Sequence, residues 1–312
     1  MHIPDGFLKF PVWAVMDAVA IPAVGLVARR AQRNFRDNRV PLMGVMGAFI
    51  FAAQMINFPI GSGTSAHLVG GALLSFTLGP AAAAIVMTAI LAIQALVFQD
   101  GGVLALGANV FNMALAGVAA GYIPWVLFGG RQAGIFLGAA LSVLISALLA
   151  LGELMLSGVP MPGPILAVSI GLFLASAVME GAITLVVVAA IKRIQPDYLR
   201  APRRANRTAL ALGSLAAVLL VVTAAFLVSE NPDGIERLLS GAGLSLPAAS
   251  LFRSPMADYQ LDAVMAPWLS RSLAGLAGLG IVYVVCLVIA RMIAASRPAS
   301  RPASLPAAGE KV

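Results

Sequence analysis

Apolar residues run along this chain in long blocks rather than in alternation. Nine blocks stand out: 8–28, 40–58, 67–78, 80–98, 104–128, 134–157, 164–191, 208–229 and 272–292. Nearly all are too long and too uniformly apolar for strands. A helix needs about 20 such residues to span a bilayer, and it satisfies its own backbone groups in lipid where an open strand cannot. The pattern predicts an all-α, polytopic membrane bundle of seven helices followed by two more.

The stretch 68–98 admits one helix or two. Gly79-Pro80 sits inside it, a pair that breaks or kinks a helix. Charge decides between the readings. With two helices and the N-terminus outside, sixteen of the twenty Lys and Arg fall on the cytoplasmic side, and only Lys9, Arg237, Arg253 and Arg271 lie outside. Merging the helices inverts everything after residue 98 and leaves only eight inside. The positive-inside rule therefore favours the split. The segment 67–78 is then short, about 18 Å at 1.5 Å per residue, and must be shielded by its neighbours.

Composition agrees: 60% of the 312 residues are hydrophobic, 11% are charged, and the mean hydropathy is +0.96. The net charge of +7 lies in loops between apolar blocks, so it reads as a topology signal and not as a nucleic-acid footprint. The polar, basic run PDYLRAPRRANR at 196–207 reads as a cytoplasmic linker between a seven-helix part, 1–195, and a two-helix part, 208–295. The latter carries an outer loop at 230–271 with no regular periodicity. The Pro-, Ala- and Ser-rich tail 296–312 is expected to be disordered. Cys286, the single cysteine, sits in an apolar block and reads as a packing residue. No cleavable signal precedes the first block, and Met1 is expected to be retained because His2 is too large for methionine aminopeptidase.

The topology has a chemical consequence. The chain holds two histidines, His2 and His67, and both fall on the outer face. A lone histidine is more often structural than a ligand; two, and no others, at one face shift that balance. A free α-amine, the amide nitrogen of residue 2 and His2 Nδ1 can chelate one metal through a five- and a six-membered ring. That leaves one position, which His67 would fill to give a planar four-nitrogen set. Such a set suits Ni(II) or Cu(II), is less comfortable for cobalt, and is poor for magnesium or calcium. Protons compete at each nitrogen, so binding is expected to fail below about pH 6. Asp5 reads as a partner for the amine end or as a helix cap. The Gly/Ser-rich loop before His67 reads as a ligand cradle or an ordinary turn. Gln54, Asn57, Asn109, Asn112, Glu153 and Glu180 lie within spans and read either as lining for the site or as interhelical hydrogen bonds. Walker and HExxH motifs are missing, which argues against nucleotide binding by a Walker loop and against a metallohydrolase.

MHIPDGFL, VPLMGVMGAFIFAAQMINFPIGSGTSAHLVGGALL and GANVFNMALAG resemble the substrate-capture component of energy-coupling-factor transporters for nickel and cobalt, the CbiM/NikM family. The resemblance covers about residues 1–195. NPDGIERL at 231–238 resembles the PDGLE signature of the small two-helix auxiliary subunit (CbiN/NikN) of the same systems, with Ile235 where Leu is usual. The chain thus looks like a fusion of the two. The resemblance implies an ion bound through the Met1 amine, the amide and ring of His2, and His67, with nickel or cobalt as transported substrate and no cofactor. It also implies a transmembrane coupling subunit and paired ATPases as partners, and an inner (cytoplasmic) membrane location. Ala14 and Ala18 on the first helix offer a docking face for the coupling subunit. A membrane metal sensor and a stand-alone secondary transporter are the other readings.

Overall fold

The computed structural model describes residues 1–34, 40–61, 64–195, 207–227, 231–244 and 254–296. Each of the nine apolar blocks carries a helix. They are α1 (Phe10–Asn34), α2 (Val40–Gln54), α3 (Gly71–Leu78), α4 (Pro80–Phe98), α5 (Leu106–Leu127), α6 (Gln132–Leu156), α7 (Gly163–Ile194), α8 (Arg207–Leu227) and, after a short α9 (Gly234–Gly241), α10 (Pro267–Ala295). Seven of the described helices are long and apolar enough to cross a membrane, and α2 and α3 are shorter. The 196–207 linker, Arg207 excepted, and the tail beyond Ser296 lie outside the described residues.

The break at Gly79-Pro80 is real. Gly79 has φ 83°, in the region that favours glycine, and closes α3 while Pro80 opens α4. The eight residues of α3 reach only about 12 Å, less than the block suggested, because residues 67–70 lie outside the helix and Gly70, at φ 78°, is left-handed. All eight are buried, so neighbouring helices shield this short segment from lipid. Twelve of the fifteen α2 residues are buried too, which is why its sequence is apolar all round.

Glycine sets the helix spacing. Gly121 of α5 lies against Ala72 and Gly138, and Gly117 against Ser146, so these two glycines, about one turn apart, let neighbouring helices approach closely. Helix α10 packs on α2 in the same manner from both sides. Gly44 and Gly47 of α2 face Tyr283 and Cys286, while Gly275 and Gly278 of α10 face Met55 and Phe51. Cys286 is buried there as a packing residue.

Two elements depart from the sequence reading. The loop before His67 is a β-hairpin, β1 (Phe58–Gly61) antiparallel to β2 (Thr64–Ala66). The outer loop is ordered around α9, whose Asp233 makes a full capping box with Glu236. Ile235, Leu238 and Leu239 form its buried stripe, and Gly234 is pressed against Phe173 of α7. The loop also ends early, since 267–271 already belong to α10.

A side chain at Gly278 would meet the rings of both Phe51 and Phe98 at 2.5 Å. Gly278→Leu is therefore expected to cost at least about 1–3 kcal/mol by overpacking. Thermal unfolding in detergent checks this, with the exposed Gly280→Leu as the unaffected control.

Candidate functional site

The N-terminal residues do not trail into solvent. They enter the mouth of the bundle as an extended plug. Ile3 N–H donates to Asn109 Oδ1 at 2.8 Å, Asn109 Nδ2 donates back to the Ile3 carbonyl at 3.1 Å, and Gly102 N–H donates to that carbonyl at 2.9 Å. Asp5 accepts from Val103 N–H and Leu104 N–H, at 2.9 and 2.8 Å, instead of capping α1 or pairing with the amine. Gly101 and Gly102 admit the plug because they lack side chains: a Cβ on the first would press on His2, and one on the second would overlap Asp5. Met1, His2 and Ile3 are buried as a result.

This threading brings the three sequence-predicted ligand residues together. The Met1 amine lies 3.2 Å from His67 Nε2. The His2 and His67 rings stack nearly parallel, 9° apart, with centroids 5.6 Å apart. His67 Nδ1 is 3.1 Å from the Leu68 carbonyl, which can only accept. Nδ1 therefore carries the proton, and Nε2 turns its lone pair to the amine. Burial, the Met1 ammonium and the His2 ring push the His67 pKa down to about 4, so this ring stays neutral and ligand-ready in mild acid. The general expectation of failure below pH 6 does not apply to His67 itself.

Glu180 holds the other side of His67. Its two carboxylate oxygens accept from Val69 N–H and Gly70 N–H, each at 2.8 Å. Gln54 Nε2 donates to the Val69 carbonyl at 2.8 Å, and Gln94 Nε2 to Gln54 Oε1 at 2.9 Å. The intramembrane polar residues thus divide by role. Asn109, Glu180 and Gln54 fix the two segments that carry the histidines, and Asn57 lines the adjoining cavity. Asn112 Nδ2 instead donates to Glu153 across a helix contact at 2.8 Å.

Two acidic residues missed by the sequence reading touch the site directly. Asp233, at the start of α9, forms an ion pair with the Met1 amine. Burial works to raise its pKa, but the amine's charge and hydrogen bond outweigh that and hold it low. Asp100 Oδ1 is 3.0 Å from His2 Nδ1. Here too burial works against the charge, while His2, His67 and Tyr259 hold the carboxyl well below its usual range. Asp233 reaches the site because its chain is latched to the hairpin: Ser65 N–H donates to the Pro232 carbonyl at 2.9 Å and Ser65 Oγ to the Asn231 carbonyl at 2.7 Å. Asp100, Asp233, Glu236 and Asp258 also line a cavity of about 450 Å³ beside His2 and His67. Such a cluster draws cations to its mouth.

The family profile described as "Cobalt uptake substrate-specific transmembrane region" (CbiM) matches residues 2–198. The chain belongs to this CbiM family. A protein of Archaeoglobus fulgidus, provisionally named fused nickel transport protein NikMN, is 33% identical over 93% of this chain and 98% of its own length. One from Haloquadratum walsbyi, provisionally named a metal transport protein, is 41% identical over 64% of this chain and 93% of its own. A solved structure of a truncated transition metal transporter superposes with a TM-score of 0.56 at 36% identity, over 62% of this chain and 99% of that one. This CbiM-family chain is accordingly a multi-pass membrane component of cobalt or nickel transport, in which the family's region is fused to a NikN-type extension.

Two measurements test the geometry. Glu180→Leu leaves two buried N–H groups unpaired, at about 1–3 kcal/mol each, and is expected to lower the unfolding temperature and loosen His67. The His67 ring is expected to titrate near pH 4 in histidine-labelled chain followed by NMR; a midpoint near the ordinary 6.5 would contradict the enclosure described above.

Proposed function

We propose that the chain is the substrate-capture component of an ATP-driven nickel or cobalt importer in the inner (cytoplasmic) membrane. Its 1–195 part captures the divalent ion on the outer face. The ligands are the Met1 amine, the His2 amide nitrogen, His2 Nδ1 and His67 Nε2. The observation that carries this reading is the Met1 amine set 3.2 Å from the lone pair of His67 Nε2, with His2 stacked alongside. Among the described residues no three His, Cys, Asp or Glu side chains are grouped to hold an ion. Two imidazoles leave an ion under-coordinated, so this reading draws on main-chain nitrogen, and among main-chain groups only the chain terminus offers an amine.

The chemistry also favours nickel over hard cations, because the set is all nitrogen. On capture the Met1 ammonium and the His2 amide each release a proton to solvent in the adjoining cavity, His2 Nδ1 exchanges Asp100 for the ion, and the Met1 amine exchanges Asp233. Asp233 stays close by and compensates the ion's charge. ATP hydrolysis falls to paired ATPase subunits, transmitted through a transmembrane coupling subunit. Ala18 is exposed and Ala14 partly so on α1, the helix offered to that partner.

Two variants test the ligand set. His67→Ala is expected to lose nickel binding while the bundle still unfolds at the wild-type temperature. Inserting leucine between Met1 and His2 preserves Met1 but moves the histidine to third place, where it can complete a four-nitrogen set without His67. That variant is expected to bind nickel yet fail in uptake with the partner subunits present. Normal uptake that still depends on His67 would contradict the chelate. Uptake by the chain alone, without ATPase subunits, would favour the secondary-transporter reading instead.

A further inference from the structure

His2 Nδ1 has two claims on it. In the structure it donates to Asp100 Oδ1 at 3.0 Å; in the proposed chelate it binds the ion. One nitrogen cannot do both. We propose that Asp100, aimed by Tyr259 of the fused extension, is the partner to which His2 returns when the ion leaves, which makes Tyr259 a positioning residue for release. This inference rests on the reading of His2 Nδ1 as a metal ligand.

The aim of Asp100 is closely held. Its Oδ2 accepts from the Tyr259 hydroxyl at 2.6 Å. Gln94 Nε2 donates to that hydroxyl oxygen at 3.2 Å, so the phenolic proton is left to Asp100. The Tyr259 ring lies flat on Phe98, 4.6 Å between centroids and 12° apart, and touches Phe51. Ser254 latches the same segment to the end of α4: its N–H donates to Gln99 Oε1 at 3.1 Å and its hydroxyl to the Val97 carbonyl.

Backbone strain concentrates at this junction. Among the described residues the non-glycine positions with positive φ are Gln99 (54°), Asp258 (52°) and Tyr259 (57°). All three lie where the extension meets the end of α4. Non-glycine residues enter this region at a cost, and strain of this kind collects where a side chain must be held in place for function.

The sign of the effect follows from which state Asp100 supports. When the ion binds, the neutral ring changes tautomer: Nδ1 gives up its proton to solvent in the adjoining cavity and Nε2 takes one, and both transfers reverse when the ion departs. A buried Nδ1–H with no acceptor is costly. By accepting it, Asp100 stabilises the ion-free arrangement of His2 and so weakens the hold on the ion. Tyr259→Phe keeps the ring, its stacking and the charge of Asp100, and removes only the hydroxyl that fixes the carboxylate's direction.

The test uses the full chain purified in detergent and loaded with Ni(II) alone, mixed with excess chelator while the nickel absorption is followed. Tyr259→Phe is expected to slow nickel dissociation by about tenfold or more, the worth of one hydrogen bond to a charged group, with the unfolding temperature unchanged. In an Asp100→Asn background the same change is expected to add nothing further. A purely structural role would instead lower the unfolding temperature and leave dissociation as fast as before or faster. Either that result or an unchanged rate in Tyr259→Phe overturns the proposal. His2→Gln, which retains Met1, separates the two levels of argument. If it keeps the wild-type nickel spectrum, the ligand reading fails and the release proposal falls with it. If the spectrum depends on His2 while Tyr259→Phe releases nickel normally, the release proposal alone fails.

Discussion

The reciprocal pair of hydrogen bonds between Ile3 and Asn109 is the constraint on which the site depends. A chain terminus is the most mobile part of a protein, and ordering each residue costs about 1–2 kcal/mol in backbone entropy. An amine can serve at a defined point only if that freedom is removed. Here α5 supplies Asn109, which grips the main chain of Ile3 from both sides. The Gly101-Gly102 turn supplies room for the plug, and the main chain after it supplies donors for Asp5. With Ile3 and Asp5 fixed, Met1 and His2 have nowhere to go but against His67.

The second half of the constraint comes from the extension. The hairpin that leads into His67 is bonded to Asn231 and Pro232, and Asp233 turns from there to the Met1 amine. The capping box of α9 fixes Asp233, and the buried stripe Ile235, Leu238 and Leu239 fixes α9. The extension therefore does not cover a finished site from outside. It holds one end of the N-terminal segment through Asp233 and reaches the other through Tyr259 and Asp100.

Much of this was legible in the chain itself. Long apolar blocks and the distribution of Arg and Lys fix nine helices and the break at Gly79-Pro80, because hydrophobic length and charge asymmetry are properties of composition along the sequence. The same topology puts His2 and His67 at one end of the bundle. What stayed hidden depends on tertiary pairing. Asp100 follows an apolar helix and precedes two glycines, and nothing local marks it as the neighbour of His2. Its one available signal was its position: an acidic residue at the end of a span, on the face opposite the arginine clusters. The capping pattern Asp233…Glu236 before an apolar pair is a readable helix start, yet α9 has only eight residues, too few for periodicity to declare it. The hairpin at 58–66 is carried by Phe58, Pro59 and Ile60 at the edge of an apolar block, where helix and strand patterns are indistinguishable.

The covalent join between α7, which ends at Ile194, and α8, which begins at Arg207, has a consequence of its own. As a separate chain, the extension would find the hairpin and the Met1 amine only as often as its abundance in the membrane allowed. Tethered through residues 195–206, it meets them at an effective concentration on the order of millimolar. The arrangement of Asp233 and Tyr259 around the N-terminus is then a property of each single molecule, indifferent to dilution and to the ratio in which two genes are expressed.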